Sequence, residues 1–275
     1  MERDPQTSGR KQRREQARMQ RKNLERAAAE SQTRRRRVKL LTITSAFVAA
    51  GAVLVWITAA GSAGKIAPES AQARDVRAEV RSLLVGIPQN GDALGRVGAP
   101  VTLQYFGDLE CPVCRAFTIG ALPSIIRNWV RAGSLRIEYH SLETATREPE
   151  VFTDQQSAAL AAGKQNKMWN FIETFYHEQG EEDSGYVTER FIQGIASQVH
   201  GLNLTRWQAE RADSGLAAQL EDDARIASVH NLTGTPAFLI GATGGATKQL
   251  EPNAVTEAAP FERAIATLAG SAKQS

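Results

Sequence analysis

The chain has 275 residues, of which 42% are hydrophobic and 23% charged, with a formal net charge of +3. This composition excludes a collagen, a coiled-coil rod and a fully disordered chain, and two cysteines exclude a zinc-finger array or several disulfides. Residues 1–37 contain thirteen Lys or Arg and five Asp or Glu, whereas the remainder contains twenty basic and twenty-five acidic residues. The basic character therefore belongs to a short arm, and we expect no nucleic-acid partner.

A hydrophobic segment follows the arm at residues 38–60. Its stretch Leu40–Ala60 has 21 residues without Asp, Glu, Lys, Arg or His, and a helix of that length spans about 30 Å, the thickness of a bilayer core. Because positive charge resists translocation, we expect residues 1–37 to be a cytoplasmic arm and the body to lie outside the cytoplasm. The pattern predicts a single-pass plasma-membrane protein. A cleaved signal peptide is the alternative, although its apolar region is usually shorter.

Residues 61–92 are predicted to be a linker, in which Ala71–Leu84 can form a short amphipathic helix. In Val101–Phe106 apolar and polar residues alternate and β-forming residues are frequent, which predicts a strand. Apolar residues recur at helical spacing over 112–131, which predicts a helix that Pro123 should kink and Gly133 should end. Leu135–Tyr139 predicts a second strand. Strand, helix and strand in this order form a βαβ unit, whose two strands should be parallel.

Residues 93–275 are predicted to form one α/β domain, in which a helical insertion at about 150–228 separates two parts of a single sheet. The insertion shows breaks at Gly180–Gly185 and Gly201–Asn203. The C-terminal part comprises a strand at Phe238–Ile240, its hairpin partner at Lys248–Leu250 and an amphipathic helix at Phe261–Leu268.

The two cysteines occur as Cys111-Pro112-Val113-Cys114, between the predicted strand and the following helix. Cys111 is expected at the helix N-terminus, with Pro112 at the first helical position, where a missing N–H costs nothing. Unpaired backbone N–H groups and the helix dipole favour a thiolate there, and such sites lower the pKa of cysteine from about 8.5 to about 3.5–7.5. Cys114 lies one turn on and can close a disulfide onto Cys111. The motif predicts thiol–disulfide exchange, in which Cys111 forms a mixed disulfide and Cys114 resolves it.

Two other interpretations of the cysteine pair remain open at this point. An inert structural disulfide closing so small a loop would stabilise little. Half a zinc site would need two more ligands, and His140 and His230 lack metal-ligand spacing. We predict neither a metal site nor a cofactor.

A second feature is Thr235-Pro236, which precedes an apolar strand at a position where an X-Pro bond can be cis.

At these residues the chain resembles the DsbA-like family of thioredoxin-fold proteins. The resemblance covers about residues 92–270, and the motifs that carry it are Val101–Cys114, Leu122-Pro123, Gly133–Arg136, Met168–Phe171 and Gly234–Phe238. It implies an α/β thioredoxin fold with a helical insertion, here preceded by the predicted N-terminal transmembrane helix. It also implies a redox-active pair of cysteines.

The resemblance further implies a role for each site residue. Cys111 would be the nucleophile and Cys114 the resolving thiol of a redox-active disulfide. A cis peptide at Thr235-Pro236 would lie beside them, and the backbone of this pair would bind an extended substrate peptide. Many thioredoxin-fold enzymes carry a buried acid six residues before the first cysteine, and this chain has Tyr105 there.

Two carboxylates lie nearer to the first cysteine in the sequence. We expect Asp108 and Glu110 to be exposed, so that they oppose a thiolate only slightly by like-charge repulsion. The residue that transfers the proton is therefore not identified by the sequence.

Together these features predict a membrane-anchored, extracytoplasmic thiol–disulfide oxidoreductase. The favoured direction is oxidation of dithiols in secreted or membrane-attached proteins, because disulfides persist outside the cytoplasm. The resemblance suggests re-oxidation by a quinone-linked membrane partner of the DsbB or vitamin K epoxide reductase type. A disulfide reductase or isomerase of the same fold is one alternative, and a non-redox peptide-binding module is another.

Overall fold

The computed structural model describes residues 70–272. The predicted arm at 1–37 and the predicted anchor at 38–60 lie outside this range. Within it, no helix combines the length and the apolar character needed to cross a bilayer.

Within the described residues, six strands form one mixed sheet. In spatial order they are β1 (Gln89–Asn90), β2 (Ala93–Leu94), β4 (Leu135–Ser141), β3 (Val101–Gly107), β5 (Ala237–Ala242) and β6 (Thr247–Gln249). The predicted parallel pairing of β3 with β4 is confirmed, with Tyr105 opposite Tyr139. On its other side β3 pairs with β5 in antiparallel fashion. Strand β3 is thus central, which explains why all of its residues except Gln104 are buried.

The helices agree with the predicted α/β order, and the insertion between β4 and β5 is helical. The helices are α1 (Ala71–Leu84), α2 (Pro112–Gly120), α3 (Leu122–Ile125), α4 (Pro149–Gly163), α5 (Met168–Glu178), α6 (Glu189–Gln198), α7 (Leu204–Glu210), α8 (Ser214–Val229) and α9 (Ala258–Ala272). A π-helical segment at Ile126–Val130 follows α3. The helix predicted over 112–131 is interrupted near Pro123, as expected, and the chain forms three segments. Pro123 has no N–H to donate to the preceding turn, which ends α2 at Gly120.

Helix α1 belongs to the folded domain, although the sequence analysis assigned its residues to a linker. Its N-cap is Ser70, whose side chain accepts a hydrogen bond from the backbone N–H of Ala73. Val80 and Leu84 are buried in the main core, and the helix packs against α5. The folded domain therefore begins before residue 93.

An aromatic cluster fixes the helix that carries the cysteines. Phe117 of α2 lies with its ring centroid 4.9 Å from Tyr105 of β3 and 4.7 Å from Phe238 of β5. Phe261 of α9 completes the cluster at 5.1 Å from Phe117. Because these rings are fully buried or nearly so, the N-terminus of α2 has a defined position above the ends of β3 and β5.

Glu173 of α5 is a buried carboxyl group without a hydrogen-bond partner among the described residues. Burial raises its pKa to about 8, whereas the value in an unfolded chain is about 4.3. Between these two values the unfolded state releases the proton and the folded state keeps it. Stability therefore falls as the pH rises from about 4.3 to about 8.

We expect Glu173→Met to raise the free energy of unfolding by about 3–4 kcal/mol at pH 7, because the penalty is about 1.4 kcal/mol per unit of pH above the unfolded pKa. Urea denaturation at pH 7 and at pH 4 measures the effect, and at pH 4 the gain should be smaller by about 3 kcal/mol, because only the cost of burying the neutral carboxyl group remains. Glu182→Met, at an exposed position, is the matched control and should show no pH-dependent gain. An equal gain at both pH values for Glu173→Met would contradict the explanation.

Candidate active site

Cys111 and Cys114 lie at the start of α2, as the sequence predicted. Cys111 is the N-cap residue, and its Sγ accepts a hydrogen bond from the backbone N–H of Cys114 at 3.4 Å. Pro112 occupies the first turn. A proline fits there because this N–H has no partner within the helix. The free N–H groups at the helix start therefore converge on the first sulfur, which favours its thiolate.

The two thiols differ strongly in acidity. A hydrogen bond with the Cys114 side chain contributes most to lowering the pKa of Cys111 to about 6, while burial acts in the opposite direction. The Thr235 side chain and the backbone of Val113 and Cys114 lower it further. Burial raises the pKa of Cys114 well above its ordinary value. At neutral pH the first sulfur is therefore a thiolate and the second a thiol.

The two cysteines also differ in burial, and the less acidic one is the more deeply buried. Cys114 is completely buried, whereas Cys111 retains 5% of its surface. The neighbouring Val113 is 46% exposed. A protein substrate can therefore approach Cys111 beside an apolar surface. Cys114 is not accessible to a substrate and can react only with another group of the same protein.

Thr235 and Pro236 lie against the cysteines, so the structure brings all four predicted site residues together. The Sγ of Cys111 is 3.4 Å from the carbonyl oxygen of Thr235, and the Thr235-Pro236 peptide bond is cis, as the resemblance implied. The reason lies in the sheet, since Ala237 at the start of β5 pairs with Phe106 near the end of β3. The loop after β3, which carries the cysteines, and the loop before β5, which carries Thr235 and Pro236, therefore lie at the same end of the strands.

The expectation that Asp108 and Glu110 are exposed is wrong. Asp108 is completely buried and Glu110 is 5% exposed. Three consecutive backbone N–H groups at residues 144–146 donate to the Asp108 carboxylate, which compensates for its removal from water. Burial raises the pKa of Glu110. These loops approach each other only in the folded chain.

Tyr105, at the position of the family's buried acid, belongs to a pair of buried hydroxyl groups. It donates to the hydroxyl oxygen of Tyr176 at 3.2 Å, and Tyr176 donates to the backbone oxygen of Asp108 at 3.0 Å. Burial raises the pKa of both tyrosines well above the ordinary value. They are therefore neutral hydrogen-bond donors at physiological pH and cannot act as a carboxylate base.

Sequence reasoning missed three residues that contact the site. Tyr176 and Gln179 come from the helical insertion, and the Gln179 amide donates to the backbone oxygens of Leu109 and Cys111. Thr144 follows β4 and contacts the Thr235 hydroxyl. None of these residues belongs to a local motif. Within residues 70–272, no three His, Cys, Asp or Glu side chains converge in the way that metal ligands do.

A family profile described as thioredoxin matches residues 89–255, more than half of the chain. The chain belongs to the thioredoxin family. Disulfide bond formation protein D of Bacillus subtilis (strain 168) is 23% identical over 154 residues, which are 54% of this chain and 66% of that relative, just under two thirds of its length.

Solved structures agree with this thioredoxin-family assignment. Oxidised BdbD from Bacillus subtilis is 18% identical with a TM-score of 0.56, and the match covers 67% of this chain and 97% of that one. Wolbachia pipientis alpha-DsbA1 is also 18% identical, with a TM-score of 0.54, covering 70% of this chain and 97% of that one. The predicted thioredoxin-like, DsbA-type fold with a helical insertion is confirmed. The relatives named for disulfide bond formation support the prediction of a thiol–disulfide oxidoreductase.

Proposed function

We propose that this chain is a membrane-anchored oxidase of protein dithiols outside the cytoplasm, acting through a Cys111–Cys114 disulfide. The observation that carries the proposal is the asymmetry of the pair: Cys111 has an acidic sulfur and retains 5% of its surface, whereas Cys114, one turn away, is completely buried. Such an arrangement suits exchange in which one thiol meets the partner and the other acts within the molecule.

The reaction proceeds in two exchange steps. A substrate thiolate attacks the Cys111 sulfur of the disulfide, forms a mixed disulfide and displaces the Cys114 sulfur, which takes up a proton. The second substrate thiolate then attacks the substrate sulfur of the mixed disulfide and releases Cys111 as a thiolate. Two electrons pass from the substrate to the cysteine pair, and the substrate gains one disulfide.

The acidity of Cys111 supports the direction of the reaction. A stabilised thiolate stabilises the reduced pair, which makes its disulfide a stronger oxidant and the thiolate a better leaving group. The pKa of about 6 lies between the values of about 7 for thioredoxin and about 3.5 for the strong oxidant DsbA.

The substrate and its path of approach are part of the proposal. A reduced secreted or membrane-attached protein presents an extended segment to the backbone of Thr235 and Pro236, in the manner of an added strand. The exposed side chain of Val113 supplies an apolar contact beside Cys111. Thr235 and Pro236 are accordingly proposed as substrate-binding residues.

The N-terminal sequence motivates the location and the re-oxidising partner. Residues 1–37 act as the cytoplasmic arm and residues 38–60 as the single membrane span. The span keeps the enzyme near a quinone-linked membrane protein of the DsbB or vitamin K epoxide reductase type. If deletion of residues 1–60, with export of the remaining domain, left re-oxidation in cells unchanged, tethering would have no role.

The redox state in cells tests the direction. Cells are quenched with acid, and free thiols are then labelled in the denatured protein with an alkylating reagent that increases its mass. We expect most of the wild-type protein to remain unlabelled, because an oxidase is kept as the disulfide. The double variant Cys111→Ser/Cys114→Ser marks the unlabelled position on the gel. A mostly dithiol pool would overturn the oxidase and indicate a reductase or isomerase.

A further inference from the structure

Asp108 is a buried carboxylate that accepts five hydrogen bonds. Its Oδ2 accepts from the backbone N–H groups of Thr144, Ala145 and Thr146 at 3.0, 2.8 and 2.9 Å. Its Oδ1 accepts from the Glu110 N–H at 3.1 Å and from the Thr146 hydroxyl at 2.6 Å. The side chain therefore joins the loop that carries the cysteines to the loop that follows β4.

The loop after β4 in turn contacts the loop that contains the cis proline. The Thr144 hydroxyl lies 2.5 Å from the Thr235 hydroxyl, and the Thr235 carbonyl oxygen lies 3.4 Å from the Sγ of Cys111. The path closes on itself, because the Cys111 backbone N–H donates to the backbone oxygen of Asp108 at 3.0 Å. The carboxylate thus joins two of the loops that meet at the site, and the Thr144 hydroxyl joins the third to them.

We propose that Asp108 is a positioning residue for thiol–disulfide exchange, and that it acts through Thr144 to hold Thr235 beside the Cys111 sulfur. The inference deepens the proposed function and rests on it only in taking Cys111 as the attacking thiol. Asp108 itself contacts neither sulfur through its side chain in the described hydrogen bonds, so its effect is indirect.

The orientation of the Thr235 hydroxyl matters because it has a single proton. When Thr144 donates to the oxygen of Thr235, the Thr235 proton is free to point to the sulfur. A hydrogen bond from the Thr235 side chain is among the contacts that lower the pKa of Cys111. Hydrogen bonds to a charged group are stronger than those between neutral groups. Without the Thr144 contact the Thr235 side chain can rotate away from this orientation, which should weaken the stabilisation of the thiolate.

The sign of the effect separates positioning from simple charge repulsion. A negative carboxylate near a thiolate disfavours it, so removing the charge of Asp108 would by itself lower the pKa of Cys111. Loss of positioning has the opposite result and raises this pKa. Asp108→Asn places an NH2 group against N–H donors, which disturbs residues 144–146 while keeping the size of the side chain.

The experiment measures the pKa of Cys111 in the reduced full-length protein from the pH dependence of its alkylation by iodoacetamide. We expect Asp108→Asn and Thr144→Val each to raise this pKa by about one unit, and to slow alkylation about tenfold below pH 6. Thr144→Ser retains the hydroxyl and should keep the wild-type value. Thr144 is exposed, so the Thr144 pair tests the proposal even if Asp108→Asn fails to fold.

Asp223→Asn is the matched control. Asp223 is also a buried carboxylate next to β4, and it accepts from the Ser141 N–H at 2.8 Å and contacts His140 at 2.7 Å. Its replacement should reduce stability and leave the pKa of Cys111 unchanged. An unchanged or lowered pKa in Thr144→Val, or an equal rise in Asp223→Asn, would overturn the proposal. The titration does not depend on the direction of exchange, so a failed oxidase test leaves this inference intact.

Discussion

Replacement of Cys111 by serine will abolish thiol–disulfide exchange, with an expected loss of about 1,000-fold or more in rate, because no other thiolate is accessible in the described chain. Cys114 cannot substitute for it, since that residue is completely buried and burial raises the pKa of its thiol. The measurement is the oxidation of a dithiol peptide, followed by mass spectrometry.

The matched variant is Cys114→Ser, which keeps the attacking sulfur and removes the resolving one. Its reduced form should attack a disulfide-bonded peptide and accumulate a stable mixed disulfide on Cys111. In cells the same variant should capture substrates that can then be identified. Adducts on Cys114 in the Cys111→Ser variant, or no adducts in Cys114→Ser, would contradict the assigned roles.

Replacement of Trp169 by alanine should lower the free energy of unfolding by about 3–5 kcal/mol, as expected for a large buried aromatic residue. Trp169 of α5 is completely buried, and its ring packs edge-on against Tyr139 of β4 at 6.4 Å between centroids. Its indole N–H donates to the backbone oxygen of Asp92 at 2.8 Å. The side chain therefore connects the helical insertion to the sheet.

Trp169→Phe is the control for this prediction, because it keeps most of the packing and loses the indole hydrogen bond. We expect it to cost about 1–2 kcal/mol, and urea denaturation of both variants gives the comparison. A cost below about 1 kcal/mol for Trp169→Ala would show that the insertion and the sheet are stabilised by other contacts.

Local patterns were sufficient for the elements with strong periodicity and for the two sulfur atoms. Helix α1 has the bounds Ala71–Leu84 that its amphipathic pattern predicted, and strand β3 extends only one residue beyond Phe106. The position of Cys111 as an N-cap followed from a strand, a proline and a helical pattern in sequence. Each of these features depends on neighbours along the chain.

The features that the sequence did not predict depend on contacts between segments that are distant along the chain. Asp108 is a charged residue in a loop, which favours exposure, and only the approach of residues 144–146 provides the donors that allow its burial. Strands β1 and β2 have two residues each, too few to show an alternating pattern. Tyr176 reaches the site from a helix more than 60 residues away, at a position that looks like any other core residue of α5.

The complete enclosure of Cys114 has a consequence for oxidative damage. Peroxide in the surroundings meets Cys111 first and converts its thiolate to a sulfenic acid. The neighbouring thiol, one helical turn away, can then condense with it to form the disulfide and release water. This internal reaction competes with further oxidation to the irreversible sulfinic and sulfonic acids, so exposure to peroxide regenerates the working disulfide instead of destroying the enzyme.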